Sequence, residues 1–442
     1  MPRWMLTAKQ GSLGAVVLVA VAGCQPAAEQ ARGGPLAGVA LTFAISLAED
    51  EKDGVREALD RFTRETGASV AVAAVTGDDL PEKLKVEVRA GRPTIDLFAK
   101  DTLALRMLVD EALVEDLSDV EIPAGVLPGM VPEWVDGKQY FLPFRPNVQV
   151  TYVNRTRFES AAVAAPRTVE ELRAVARALK ASARGVPKVT LPLAEGGAAG
   201  VTITEWIVAF GGNPLLLNDA GSVRAFEFLQ SLWAEGLLAR ESLLAKYDTQ
   251  VDYLQGETAW LAPNWPFTSK VFSEQDILSR FQVYDGWRGP VRAAHVLGGD
   301  VLGIPRGIGG RRREAALALA GFLMSREAQQ VLVERNAWPS IRGDAYGGVP
   351  AQQRKTFEAI QKALASAVRR PDVAYWADVT EAMNEAVQRI LVRGEPAGAV
   401  LDSLHARIEA AARRKGAQYP PTERRWLDGP GPGPAPSRRS RA

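Results

Sequence analysis

The sequence predicts an α/β fold with two lobes, and two observations lead to this prediction. Short apolar segments typical of strands alternate with segments of helical periodicity along the 442-residue chain. When segments at both ends are set aside, a body of about 390 residues remains, which is longer than one hydrophobic core usually serves. We therefore expect two domains, the first of which contains a parallel sheet with right-handed crossovers.

The first domain begins with strand and helix signals in alternation. Strands are predicted at residues 39–46, 69–75 and 94–100, because these runs are apolar and rich in strand-forming side chains. A helix is predicted over 53–67, where apolar residues recur at helical spacing before a terminal glycine, and another over 78–91. Strand, helix, strand, helix and strand at this spacing are typical of a parallel α/β sheet.

The carboxyl ends of these strands are where a doubly wound sheet binds its ligands. The loop over residues 46–53 follows the first strand, and Asp101 follows the third. Both are therefore expected at the mouth of the first lobe.

Later segments predict that the chain leaves the first lobe and returns to it. Residues 314–336 have a helical period with no proline, and a single packing helix is predicted there. The chain would then pass from the first lobe to the second and back again. This path gives two lobes that are joined by more than one backbone segment, with a cleft between them. Hinged lobes of this kind close around a ligand.

The start of the chain is predicted to be an export signal with a lipid anchor. Basic residues precede an apolar run at 13–22, which has the length of a signal-peptide core and is too short to span a bilayer. The segment 21–24 resembles the bacterial lipobox, in which the peptide is cut before the cysteine and the thiol receives a diacylglycerol. This resemblance implies that residues 1–23 are removed and that Cys24 is lipidated, whereas the alternative is a core cysteine in an unprocessed chain.

Composition excludes several classes of function. The formal net charge is +1 with 24% charged residues, which gives no basis for nucleic-acid binding. The chain has one cysteine, so it cannot form an intramolecular disulfide, and one cysteine with two histidines is a poor ligand set for zinc. We therefore expect no metal and no cofactor. The Walker A, G-x-S-x-G and H-E-x-x-H patterns are absent, and we expect a protein that is not an enzyme.

Six segments, taken in order, resemble the extracellular solute-binding proteins of ABC importers, in the carbohydrate-binding group that includes maltose- and trehalose-binding proteins. The resemblance covers roughly residues 40 to 415, and no single segment is as specific as a metal signature. The segments are residues 95–119, 137–159, 166–180, 205–238, 298–307 and 313–344.

The resemblance implies a two-lobed periplasmic-binding-protein-like α/β fold with a hinge and an inter-lobe cleft. The protein would be a monomer outside the cytoplasm, lipid-anchored to the cell membrane, that captures a sugar such as trehalose or maltose and delivers it to the transmembrane subunits of an ABC permease. The expected divisions are a signal peptide (1–23), a lipidated N-terminus and tether (24–37), lobe 1 (38–147 and 298–343), lobe 2 (148–297 and 344–427) and a disordered tail (428–442).

The same resemblance implies sugar contacts in the middle of the chain. Asn264 and Trp265 match an Asn-Trp-Pro motif whose tryptophan stacks on a pyranose ring, although a core tryptophan is the alternative. Asn147 lies on a predicted loop at the crossing between lobes, where it would bind a hydroxyl or serve as an ordinary turn residue. Arg145 is implied in the same way.

Further contacts are implied on either side of the cleft. Glu49 and Asp50 match an acidic position that accepts from sugar hydroxyls, but an acidic pair ahead of a helix also suits its N-terminus. Asp101 is either a ligand contact or a helix N-cap. Two further positions are implied: a turn at Gly298 and Gly299 with amides toward the cleft, and Arg370, whose neighbour Arg369 is the other choice.

Two other functions compete with sugar binding. An exported glycoside hydrolase would use a pair of carboxylates across the cleft, such as Glu49 and Asp101. A receptor for a polyamine or another cation would use the same fold with more carboxylates and aromatic rings around the amine.

Overall fold

The computed structural model describes residues 33–47, 51–76, 79–102 and 105–420. The predicted signal peptide, Cys24 and the tail at 428–442 therefore lie outside the described residues, as do Glu49 and Asp50. In the described part of the chain, no helix combines the length and the apolar character needed to cross a bilayer.

The strands fall into two sheets. In chain order they are β1 Ala40–Ile45, β2 Ser69–Ala74, β3 Leu97–Asp101, β4 Leu142–Asn147, β5 Val150–Asn154, β6 Leu261–Asn264, β7 Phe281–Tyr284, β8 His295–Gly303 and β9 Ala367–Arg369.

The helices surround these sheets. They are α1 Lys52–Thr66, α2 Asp79–Arg89, α3 Leu105–Asp110, α4 Arg155–Ser160, α5 Val169–Ser182, α6 Gly197–Ala209, α7 Ala220–Ala234, α8 Tyr247–Gln255, α9 Phe267–Glu274, α10 Gly310–Leu323, α11 Arg326–Asn336, α12 Arg354–Ala365, α13 Trp376–Ala386 and α14 Ala397–Arg414.

The larger sheet confirms the predicted order of strands and helices at the start of the chain. Its strand order is β2-β1-β3-β8-β4, and β9 pairs with β8. Strand β1 is parallel to both β2 and β3, as predicted, whereas β8 runs antiparallel to β3 and β4. The first helix ends at Gly67, which adopts a left-handed conformation (φ 78°) that closes the last helical turn.

The smaller sheet, with the order β6-β5-β7, is antiparallel throughout. One hydrophobic core contains the strands of the larger sheet and helices α1, α10 and α11, and it continues onto the smaller sheet through Tyr152 and Phe281. A second core is built mainly from α5, α6, α7, α13 and α14.

Short crossings connect the two sheets and position the site. Strand β4 ends at Asn147 and β5 begins at Val150, while the return path runs from β7 into β8, which begins at His295. Strand β9 then lies parallel to the first residues of β8. The carboxyl ends of β3 and β4 and the start of β8 therefore lie close to the points where the chain passes between the sheets.

The structure corrects the prediction of a turn at Gly298 and Gly299 and the prediction of a single helix over residues 314–336. Gly298 and Gly299 do not form a turn, because they lie inside the long strand β8 and pair with β4. The segment 314–336 is not one helix, because the chain breaks between α10 and α11. Ser325 begins the second helix by accepting a hydrogen bond from the amide of Ala328, as an N-cap serine does.

Candidate functional site

The centre of the candidate site is an arginine held between two carboxylates. Nη1 of Arg145 lies 3.0 Å from Oε1 of Glu51, and Nη2 lies 2.6 Å from Oδ2 of Asp300. The guanidinium also lies over the ring of Trp338, 4.2 Å from its centroid. Trp338 in turn donates from Nε1 to Glu51 Oε1 at 2.7 Å, which closes the cluster on itself.

Strand register explains why these charges meet. Asp300 of β8 pairs with Asp101 of β3 on one side and with Arg145 of β4 on the other. Because paired residues of neighbouring strands lie side by side, the three side chains lie at the same level of the sheet. Glu51 joins them from the loop that follows β1.

Burial and charge act against each other in this cluster. Burial raises the pKa of Asp300 above its ordinary value, and the attraction of Arg145 only partly opposes this effect. Burial also disfavours the charge of Arg145, but the carboxylates of Asp300 and Glu51 outweigh it and raise the pKa of the guanidinium. Arg145 therefore stays charged.

A second ion pair lies beside the first. Nη2 of Arg370 donates to Asp101 Oδ1 at 2.7 Å and to the hydroxyl of Thr102 at 2.8 Å. The neighbouring arginine points elsewhere, because Nη2 of Arg369 donates to the carbonyls of Gly129 and Val131. Of the two adjacent arginines, Arg370 is therefore the one that reaches the end of β3.

Trp265 faces the larger sheet from the smaller one. It is partly exposed, and its ring meets that of Tyr247 edge to face with centroids 5.4 Å apart. Asn264 is fully buried, with Nδ2 donating to the Tyr247 carbonyl at 2.7 Å and Oδ1 accepting from the Trp265 amide at 2.9 Å. Asn264 thus holds these two aromatic residues in place, and both ends of its amide are occupied.

The Trp265 ring lies against the strand β8 at a glycine. A Cβ atom added to Gly298 would lie 3.0 Å from Cη2 of Trp265, which is tighter than ordinary packing. Opposite Gly298 in the ladder is Asn147, the last residue of β4 and not a loop residue as predicted. Asn147 Oδ1 is buried and meets no hydrogen-bond partner among the described residues.

A cavity of about 280 Å³, which we call the Trp265 cavity, lies beside part of this arrangement. Its lining residues are Glu51, Arg145, Asn147, Trp265, Pro266, Phe267, Ala337, Trp338 and Pro339. Arg370 and Trp376 also border a wider groove of about 870 Å³ between α3 and the helices α6 and α13. Aromatic faces beside an unpaired amide oxygen and paired charges suit a ligand with both C–H faces and hydroxyl groups.

Sequence reasoning missed four residues of this arrangement: Glu51, Tyr247, Asp300 and Trp338. Asp300 directly follows the two glycines that were selected, and Trp338 precedes a proline just as Trp265 does. Glu51 directly follows Glu49 and Asp50 in the loop that was expected at the mouth of the first lobe. Tyr247 carries no comparable signal in the sequence, and only the packing of α8 brings it to the site.

The described residues contain no group of three or more His, Cys, Asp or Glu side chains that is arranged to hold a metal ion. The charged side chains at the site are instead paired with one another.

Comparisons with known proteins agree on the fold. A model of the family described as bacterial extracellular solute-binding protein matches residues 57–359. The maltose-bound MalE3 structure from T. maritima aligns with 84% of this chain and 99% of its own, at 21% identity and a TM-score of 0.71. The sugar-binding protein MalE from Xanthomonas citri aligns with 86% of this chain and 98% of its own, at 17% identity and a TM-score of 0.72.

A third structure is equally similar: the GacH receptor of Streptomyces glaucescens covers 85% of this chain and 98% of its own, at 16% identity and a TM-score of 0.72. No curated protein matches the sequence. The predicted periplasmic-binding-protein-like fold is confirmed by these structures.

Proposed function

We propose that this chain, which belongs to the bacterial extracellular solute-binding protein family, captures a sugar between its two lobes and delivers it to the permease of an ABC importer. The family consists of binding proteins and not of enzymes, and its members act outside the cytoplasm. The specific ligand we propose is a disaccharide such as maltose or trehalose.

The observation that carries the proposal is the Trp265 cavity. It combines a partly exposed indole with the unpaired Oδ1 of Asn147, so a sugar ring stacked on Trp265 can donate a hydroxyl hydrogen to this oxygen. A separate groove, which Arg370 borders, is large enough for a second ring. Similar proteins offer further support, since the MalE3 structure holds maltose and another, from Thermotoga lettingae, holds α-D-tagatose.

The charges at the site favour a neutral ligand over a polyamine. Glu51 and Asp300 are both paired with Arg145, and Asp101 is paired with Arg370. Because each of these carboxylates already accepts from an arginine, the ammonium groups of a polyamine would have to compete with the two guanidinium groups for the same oxygens. A sugar avoids this competition because its hydroxyl groups carry no charge and do not need to displace an arginine.

A glycoside hydrolase is also disfavoured by the pairing of Asp101. Hydrolysis requires two carboxyl groups that face the scissile bond from opposite sides. Asp101 is engaged by Arg370 and Thr102, and its proposed partner Glu49 lies outside the described residues.

Titration calorimetry with maltose, trehalose, tagatose and spermidine tests the proposal, together with chromatography of the same mixtures after long incubation. We expect heat of binding from at least one sugar, none from spermidine, and unchanged sugar after incubation. Binding of spermidine alone would contradict sugar capture, and release of monosaccharide would make the chain a hydrolase.

We further propose that Cys24 carries a lipid anchor that keeps the protein at the outer face of the cell membrane. The motif at residues 21–24 supports this proposal, and the extracellular character of the family is consistent with it. An anchored receptor remains within reach of its permease, because a diacylglyceryl group with a further acyl chain binds the bilayer stably.

A further inference from the structure

A second, smaller cavity lies where the chain crosses between the two sheets. Its volume is about 40 Å³, and it shares no lining residue with the Trp265 cavity. The polar side chains that line it are Gln149, Thr151, Thr202, Glu205 and His295, beside the rings of Trp206 and Trp287. We call it the hinge cavity, because Gln149 belongs to the first crossing and His295 begins the strand of the return crossing.

Gln149 is the unusual member of this group. Its side chain is only 2% exposed, yet neither Nε2 nor Oε1 meets a hydrogen-bond partner among the described residues. Each buried polar atom left unpaired costs about 1–3 kcal/mol, so native proteins nearly always satisfy such groups with protein or water. Because Gln149 lines the hinge cavity, a partner placed in that cavity would satisfy it.

Glu205 is the second polar group that faces the hinge cavity. Its Oε1 accepts a hydrogen bond from the amide of Val296 at 2.8 Å, which ties α6 to the strand of the return crossing. Burial raises the pKa of Glu205 to about 8, because no cation compensates the desolvation of the carboxylate. At neutral pH the group is therefore a carboxylic acid, which offers one O–H donor in addition to its acceptors.

The other titratable group in the cavity is already satisfied. Nε2 of His295 lies 2.6 Å from the carbonyl of Asp285, and Nδ1 lies 2.8 Å from the hydroxyl of Ser366. Since the carbonyl can only accept, Nε2 carries the hydrogen. Burial also lowers the pKa of His295, so the ring is neutral and does not compete for a ligand of Gln149.

We propose that the hinge cavity holds an internal water molecule that bridges the Gln149 amide and the Glu205 carboxyl. A buried water needs roughly 10–15 Å³ and two to four polar partners. This cavity has a volume of about 40 Å³, and Gln149 and Glu205 are among the residues that line it. The water accepts from Gln149 Nε2 or donates to its Oε1, and it exchanges a hydrogen bond with Glu205. Through Glu205 and Val296 it links the first crossing to the return crossing.

This water would be part of the hinge and not part of the sugar site. The proposal does not depend on the identity of the sugar, since the two cavities are lined by different residues. A water bridge stabilises both crossings in the conformation that places Gln149 and Glu205 at the same cavity.

A high-resolution crystal structure of the full chain is the direct test. We expect an ordered water within hydrogen-bond distance of both Gln149 and Glu205. An empty cavity, or a Gln149 amide that has turned to bond another protein group, would overturn the proposal.

Thermal melting of Gln149→Met provides the second measurement, with Gln250→Met as its matched control. Gln250 is also fully buried, but it is satisfied by protein, because Thr190 Oγ1 donates to its Oε1 at 2.6 Å and its Nε2 donates to the Pro263 carbonyl at 3.4 Å. If water satisfies Gln149, both variants lose a satisfied amide and both melting temperatures fall by about 2 °C or more. A Gln149→Met variant that melts above the wild type would show that the amide was unsatisfied, and the proposal would be wrong.

Discussion

Arg370 and Asp101 are 269 residues apart in the chain, and yet Nη2 of Arg370 donates to Oδ1 of Asp101 at 2.7 Å. The two partners differ in exposure, since the Arg370 side chain is 7% exposed and that of Asp101 is 43% exposed. The contact forms because β9 lies beside β8, which in turn pairs with β3. It joins the last described strand of the larger sheet to the mouth of the first lobe.

This difference in exposure predicts that replacing Asp101 and replacing Arg370 will lower the unfolding free energy by different amounts. Asp101→Asn leaves a buried guanidinium without its counter-charge and should cost about 1–3 kcal/mol of unfolding free energy. Arg370→Met leaves a half-exposed carboxylate that water can solvate, and it should cost less than about 1 kcal/mol. Urea unfolding of both variants without ligand measures the order, and the reverse order would show that Asp101 is the buried partner in solution.

Trp265→Ala should weaken sugar binding by about 1–3 kcal/mol while leaving the melt of the free protein nearly unchanged, because the ring is partly exposed. Trp206→Ala is the control, since Trp206 is 4% exposed and packs on Phe210 and Phe228. Its removal should cost about 3–5 kcal/mol of stability. Calorimetry combined with melting separates the two, and a Trp265→Ala variant that unfolds early but binds normally would place Trp265 in the core.

Two adjacent glycines of β8 should respond differently to alanine. At Gly298 a Cβ would press on Trp265, so Gly298→Ala should displace the ring and lower sugar affinity more than stability. At Gly299 the backbone has φ +99° and a Cβ would lie 1.9 Å from the Arg145 carbonyl oxygen, so Gly299→Ala should destabilise the fold. The measurements are the sugar affinity and the melting temperature of each variant. Equal losses of affinity without a change in either melting temperature would contradict this geometry.

Glu205 should make stability depend on pH. Its pKa is raised from 4.5 to about 8 in the folded protein, so its contribution to stability is complete below pH 4.5 and is lost as the pH rises through 8. The nearby groups act differently, because His295 has a lowered pKa and Tyr247 titrates far above this window. Wild type should therefore lose more melting temperature than Glu205→Gln between pH 5 and pH 9. Parallel pH profiles would exclude a buried acid.

Cys24→Ser should release the protein from the membrane fraction, because the thiol that would receive the lipid is gone. Fractionation of cells that express each form, with detection of the mature N-terminus, is the measurement. Ser12→Ala serves as a control that leaves the motif at residues 21–24 intact. Persistence of the Cys24→Ser protein in the membrane fraction would contradict the anchor.

Local patterns sufficed for the elements of the first lobe. Strands β1, β2 and β3 and helices α1 and α2 lie where the sequence predicts them, because each satisfies its own periodicity and ends at a turn residue. The Gly298–Gly299 pair was assigned wrongly to a turn for the same reason. Two glycines indicate a turn locally, but here they lie in a strand where the ring of Trp265 and the backbone of Arg145 leave no space for a side chain.

The candidate site was only partly predictable. Four of the selected residues are Trp265, Arg145, Asn147 and Arg370. The structure places the first three around the Trp265 cavity and Arg370 at the end of β3, and their contacts with a sugar stay predictions. Asn264 was selected as well, but both polar atoms of its side-chain amide are hydrogen-bonded to the backbone of Tyr247 and Trp265. The role of a residue such as Asn264 depends on the orientation of its side chain at the end of a strand. A sequence motif does not specify that orientation.

The sequence by itself determined the class of fold, because the periodicity of strands and helices is a local property. Its resemblance to a known family also indicated the family that the matching model shows. Only the tertiary structure decided which charges are paired. The pairing of Arg145 with Glu51 and Asp300 depends on the register of β4 and β8 and on the position of Glu51 directly ahead of α1. The physical reason is that an ion pair forms where backbones from distant segments converge, and this convergence is fixed by the packing of the whole sheet.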